Sequence, residues 1–167
     1  MNYYVFFITA LIPLIIGSIW YNPAVFGKVW MRTSGVTEEQ AQSGNMPLIF
    51  GLCYVFSVLL SVFFSSWSIH QIAMNGLFAM QPDFLDGSNQ GMIALVEAIS
   101  PGGEYAGLHR TFGHGAVHGA IAAVLGALPI ITIISLFERR GWKYIMVHFG
   151  YWLITMILMS GAVCQFL

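Results

Sequence analysis

Four histidines carry the side-chain chemistry of this chain that a ligand would use. His114 and His118 stand four residues apart in "TFGHGAVHGAIAAVLG", so a helix puts both imidazoles on one face. His109 lies just ahead of them, and His70 closes an earlier apolar run. Imidazole suits zinc and copper, and the connection between His70 and His109 adds the carboxylates Asp83, Asp86, Glu97 and Glu104. Two ligand chemistries fit this pattern. One is a divalent metal held by His70, His109, His114 and His118. The other is a haem whose iron takes His70 on one side and His114 or His118 on the other. A zinc peptidase of the H-E-x-x-H type is excluded, because Gly115 stands where the glutamate must follow the first histidine. A plainer reading competes with both: at a helix mouth near a membrane interface, an imidazole simply hydrogen-bonds a carbonyl of a neighbouring span or loop. His148 falls near the opposite membrane face and belongs to neither arrangement.

The elements that position these residues follow from composition. The chain has 167 residues, of which 57% are hydrophobic and 8% charged, with a mean hydropathy of +0.76. Soluble domains carry about 25% charged residues, and a fold this short cannot hide so much apolar surface from water. Lipid is therefore the solvent. The net charge of −1 gives no field that favours nucleic acid. Four tracts are long enough to cross a bilayer as helices: Tyr3–Tyr21, Pro47–His70, Gly113–Phe137 and Lys143–Phe166. The expected fold is an all-α integral membrane four-helix bundle in a single domain, kinked at Pro13. The N-terminal stretch reads as a span and not a signal peptide, since it has no basic n-region and no small-residue cleavage site. Cys53 and Cys164 fall at opposite depths, which argues against a disulfide.

Orientation comes from the basic residues. Lys28 and Arg32 lie in the first connection and Arg139, Arg140 and Lys143 in the third, against Arg110 alone in the second. Basic short loops stay cytoplasmic. Connections one and three should face inward, and both termini and the acidic second connection outward. The five inner basic residues also form a candidate rim for anionic lipid headgroups, with Trp20, Tyr21, Trp30, Trp142 and Tyr144 as an aromatic belt. "NPAVFGKVWMRTSG" predicts a short interfacial helix with Asn22 as N-cap and Pro23 at its first position. Thr37 to Gln40 predicts a capping box, and "MIALVEAI" a short helix on the outer surface.

Gly115, Gly119, Ala122, Ala123 and Gly126 recur at steps of three or four and include a G-x-x-x-G. In lipid, helices associate where small residues let backbones approach. The third span is therefore the expected packing helix, either within the chain or at a subunit interface.

Several function classes are absent from the sequence. It contains no nucleophile–base pair, no phosphate-binding loop and no ionisable group at mid-depth of a span, the usual mark of an ion-coupled carrier. The segments "IGSIWYNPAVFGKVWMRTSGVTEEQ" and "HGAIAAVLGALPIITIISLFERRGWKYIMVHFGYWLITMILMSG" resemble a family of small bacterial membrane proteins, domain of unknown function 1761. The run from Trp20 to Met31, the His118–Gly119 step and the "FERRGWK" turn carry the likeness. It implies a four-helix protein of the bacterial cytoplasmic membrane and no known activity. The function expected is a non-enzymatic interaction, accessory or assembly subunit, as a homo-oligomer or with other membrane subunits. The alternatives are an outer-leaflet metal- or haem-binding protein and a small-solute permease with a pore along the small-residue stripe.

Overall fold

Pro13 has no amide to offer the Thr9 carbonyl, and the first apolar segment breaks there into α1 (Tyr4–Thr9) and α2 (Ile12–Trp20). The computed structural model describes residues 1–167. All regular structure is helical: α3 (Gly27–Ser34), α4 (Glu38–Gln42), α5 (Met46–Ser68), α6 (His70–Phe78), α7 (Pro82–Leu85), α8 (Gln90–Ile99), α9 (Phe112–Ala122), a π-helical stretch (Ala123–Ala127), α10 (Leu128–Phe137) and α11 (Trp142–Phe166). Three helices are long and apolar enough to cross a membrane: Met46–Ser68, Phe112–Phe137 and Trp142–Phe166. The α1–α2 pair, Tyr4–Trp20, is a shorter apolar helix.

The ends of these elements gather at two poles. At one, the Asn2 amide donates to the Leu167 carbonyl (2.9 Å), and Arg110 Nε donates to the Cys164 carbonyl (2.8 Å). A guanidinium there satisfies a carbonyl in the last turn of α11 and opposes its dipole. At the other pole Arg140 donates to the Ser34 carbonyl (2.8 Å), fastening the turn before α11 to the end of α3. Trp20 Nε1 reaches the Val147 carbonyl (2.9 Å) nearby. Both termini and residues 70–111 thus share one pole, and the two basic connections share the other.

The core seam joins α9 to α11. A Cβ added at Gly115 would collide with the Ser160 carbonyl oxygen and the Cys164 side chain, and one at Gly119 with the Met156 carbonyl. The two backbones approach as small residues permit in lipid, and Ala123 continues the seam, fully buried. Gly126 does not. A Cβ there would meet nothing within 4 Å. The π-helical stretch supplies the reason: one extra residue in the turn rotates everything after it by about 100°, so the expected five-residue stripe ends at Ala123. Ala122 flanks the seam and is half-buried.

A second packing surface has polar character. Ser57, Ser61, Ser65 and Ser68 are buried along one face of α5. Ser61 Oγ and Thr9 Oγ1 lie 2.6 Å apart and share a hydrogen bond, and Tyr54 donates to the Phe7 carbonyl (3.1 Å). These contacts hold α1 against α5.

Two local expectations need correction. Asn22 does not cap a helix at Pro23. Residues 22–26 form a turn in which the Asn22 carbonyl accepts from the Val25 and Gly27 amides, Trp20 and Phe26 rings pack at 4.4 Å, and α3 starts only at Gly27. A Cβ at Gly27 would strike the Tyr21 carbonyl, so this close turn requires glycine. The second span also ends at Ser68 rather than His70: Ile69 is extended (φ −107°, ψ 97°), and His70 opens α6. The Thr37–Gln40 capping box and a helix over "MIALVEAI" are both present.

Candidate functional site

Two helices, α6 and α9, and the connection before α9 deliver the histidines to the pole that holds the termini. The break at Ile69 turns the chain so that His70, as first residue of α6, faces α9. Thr111 Oγ1 accepts from the His114 amide (3.2 Å) and fixes the start of α9. His114 and His118 then fall one turn apart on that helix. Trp67 Nε1 donates to the His118 carbonyl (3.0 Å), tying the end of α5 to α9 beside the site.

The rings converge. His114 Nε2 lies 3.0 Å from His70 Nε2. Ring centroids are 5.0 Å apart for His70–His114 and His70–His118, and 4.6 Å for His114–His118. One nitrogen from each of the three falls within 4.8 Å of the others. Around a tetrahedral zinc, with Zn–N near 2.05 Å, ligand nitrogens sit about 3.3 Å apart. Side-chain rotations of modest size close that difference.

His109 forms a fourth wall. Its ring stacks on His114 at 5.0 Å, inclined by 26°. Its backbone is left-handed (φ 60°), an uncommon conformation for a residue with a Cβ. The Thr111 amide and the Cys164 thiol both donate to its carbonyl. The connection ending in His109 is itself tethered: Gln71 Nε2 donates to the Leu108 carbonyl (2.8 Å) and the Tyr105 carbonyl (3.0 Å). Asp83, Asp86, Glu97 and Glu104 stay outside the group, which is all imidazole. Asp86 instead accepts from Ser88 in a turn, and that contact holds its carboxyl below the usual range.

His148 lies at the other pole, where its Nδ1 sits 2.9 Å from the Tyr21 hydroxyl. The basic residues gather there too. Lys28, Arg32, Arg139 and Lys143 are exposed, while Arg140 is half-buried between Ser34, Glu138 and the Tyr144 ring. Sequence reasoning missed the supports Gln71, Arg110 and Trp67. Each acts across more than thirty residues of chain, and no local pattern marks them.

The whole arrangement, from the broken first segment to the α9–α11 seam, lies within residues 4–164, the span matched by the family model "Protein of unknown function (DUF1761)". The chain belongs to that family. For this DUF1761 member, no curated protein and no solved structure gives a match. The family carries no stated activity, so the geometry of the histidine group bears the functional argument.

Proposed function

We propose that this DUF1761 protein binds a divalent transition-metal ion, zinc or copper, through His70, His114 and His118, with His109 as the ring that shields or completes the site. The observation that carries this reading is the convergence of three imidazoles from two separate helices with donor atoms within 4.8 Å. One hydrogen bond between His70 Nε2 and His114 Nε2 (3.0 Å) accounts for the approach of those two rings, but not for the third imidazole, His118, beside them, and protonating more than one of the three there is unfavourable. An all-nitrogen donor set selects zinc or copper over calcium or magnesium, which prefer oxygen. The geometry favours an ion over a haem: the 3.0 Å between His70 Nε2 and His114 Nε2 leaves no room for a porphyrin plane between them.

In this reading the chain crosses the bacterial cytoplasmic membrane four times, and the α1–α2 pair is its shortest crossing. Tyr4–Trp20, at 1.5 Å per residue, spans about 25 Å, near the lower limit for a crossing. The positive-inside rule places the five-cation pole in the cytoplasm, among anionic headgroups, and the histidines with both termini outside. The role is non-enzymatic: the site holds or passes on an ion at the outer surface, alone or within a larger membrane assembly. A permease pore along α9 has no support, because α11 fills that seam at Gly115 and Gly119. The same contact uses up the surface that would have joined subunits.

Equilibrium dialysis of the purified protein against zinc tests the proposal. One ion per chain in the wild type, lost in His70→Ala and His114→Ala while both variants remain folded, supports it. Equal zinc uptake by the double variant His70→Ala/His114→Ala overturns it.

A further inference from the structure

An ion held by His70, His114 and His118 has three protein ligands, whereas a tetrahedral shell has four positions. His109 is the obvious candidate for the fourth, and its pose excludes it. An imidazole lone pair lies in the plane of its ring, so the planes of rings that share an ion must all pass through that ion. The three clustered rings are steeply inclined to one another, at 73° for His70–His114, 69° for His70–His118 and 55° for His114–His118. Such planes can cross at a common point close by. His109 instead stacks on His114 at 26°, and stacked planes so nearly parallel meet only far from either ring. Its nitrogens also fall outside the group of donor atoms within 4.8 Å. The backbone holds it there: at φ 60° its carbonyl accepts from the Thr111 amide and the Cys164 thiol. Cys164 supplies no ligand either, since its thiol is directed at the His109 and Ser68 carbonyls (both 3.5 Å).

The fourth side faces water. His70 is exposed, and His114 and His118 are only half-buried. The connection that follows α6 packs back on that helix through α8 and carries Asp83, Asp86, Glu97 and Glu104, all exposed. None of the four is in an ion pair. The one cation of the connection, Arg110, is turned to the Cys164 carbonyl (2.8 Å). The field at this pole draws cations in and opposes anions, so thiolate, carboxylate and halide approach uphill while a neutral nitrogen donor does not.

We propose, resting on the metal reading above, that the bound ion keeps its fourth coordination position for a neutral nitrogen donor from outside the chain, an imidazole side chain of a partner polypeptide, and passes to that partner by direct ligand exchange. His109 braces the face of His114 and takes no part in coordination.

Cobalt(II) tests this, because it substitutes for zinc and its visible d–d bands report the ligands around it. The purified full chain in mild detergent is loaded with cobalt and titrated with imidazole and, separately, with sodium azide. The expected result is a saturable change of the bands by imidazole with cobalt still bound by elemental analysis. Azide affinity should rise as added sodium sulfate screens the carboxylates, and imidazole affinity should not. His109→Gly suits the left-handed backbone and should bind cobalt with wild-type affinity and unchanged bands. Bands that imidazole leaves unaltered overturn this proposal alone, since cobalt uptake upholds the metal reading. A His109→Gly protein that keeps its melting temperature but loses cobalt affinity by about ten- to hundredfold or more makes His109 a ligand and also overturns it. Azide affinity that does not rise with sulfate overturns the preference for a neutral donor. No cobalt uptake by the wild type overturns the metal reading and this proposal together.

Discussion

Gly119→Ala and Gly126→Ala are the same chemical change on the same helix, seven residues apart, and the structure predicts opposite outcomes. At Gly119 the new methyl group meets the Met156 carbonyl and the Ile157 backbone. Backbone cannot rotate away as a flexible side chain can, so α9 and α11 must separate along the seam. Overpacking of this kind costs about 1–3 kcal/mol, and a backbone neighbour puts it near the upper end. At Gly126 the methyl group enters open space. There the substitution recovers helix propensity, worth roughly 0.5–1 kcal/mol. The propensity gain is common to both sites and cancels, so the two variants should differ in stability by the overpacking alone, about 3 kcal/mol at its upper end, or on the order of 10 °C in melting temperature for a chain of this size. Unfolding in mild detergent, followed by circular dichroism during a sodium dodecyl sulfate titration, reads the difference. Equal stability of the two variants, or a Gly126→Ala protein weaker than Gly119→Ala, would refute the claim that the seam ends at Ala123.

Other expectations follow from the same contacts. Thr9→Val and Ser61→Ala each remove one end of the buried hydroxyl pair at 2.6 Å, and a double-mutant cycle should return a coupling of about 1 kcal/mol, the range of interhelical hydrogen bonds in membranes; a coupling of zero would mean that the pair does not hold α1 to α5. Metal bound by imidazoles competes with protons for the same nitrogens, so stabilisation by zinc, about 2.7 kcal/mol at a hundredfold excess over Kd, should be greatest in mildly alkaline buffer and fall as the pH is lowered; stabilisation that does not change with pH would point to a different ligand set. Single cysteines placed at Ser88 and at Gly141, in a chain lacking Cys53 and Cys164, should react with a membrane-impermeant maleimide from opposite sides of sealed vesicles; labelling from one side only would contradict the four-span topology.

The broad design was legible because bilayer physics leaves few choices. Long uncharged runs must be helical in lipid, and the Gly115–Gly119 pair advertised close approach before any coordinates. The clustering of His70 with His114 and His118 was also legible, since ends of successive antiparallel spans must meet. What stayed hidden depended on small shifts of helical phase. Nothing in "AAVLGA" marks the extra residue of the π-helical turn, which removes Gly126 from the seam. Nothing in "SSWSIHQ" marks the break at Ile69, which makes His70 the start of a new helix. The serine face of α5 was readable as a spacing of four, yet serine is common in apolar spans and gained meaning only when Thr9 appeared opposite. The left-handed backbone of His109 depends on the Cys164 thiol and the Thr111 amide closing on its carbonyl, a coincidence of distant segments that no local sequence signal encodes.

X-ray absorption spectroscopy of the zinc-loaded protein addresses the central claim most directly. The account predicts a first shell of nitrogen at about 2.0 Å with the outer-shell scattering of three or four imidazoles, reduced by one imidazole in His118→Ala. A sulfur shell, or a spectrum indistinguishable from aqueous zinc, would contradict it.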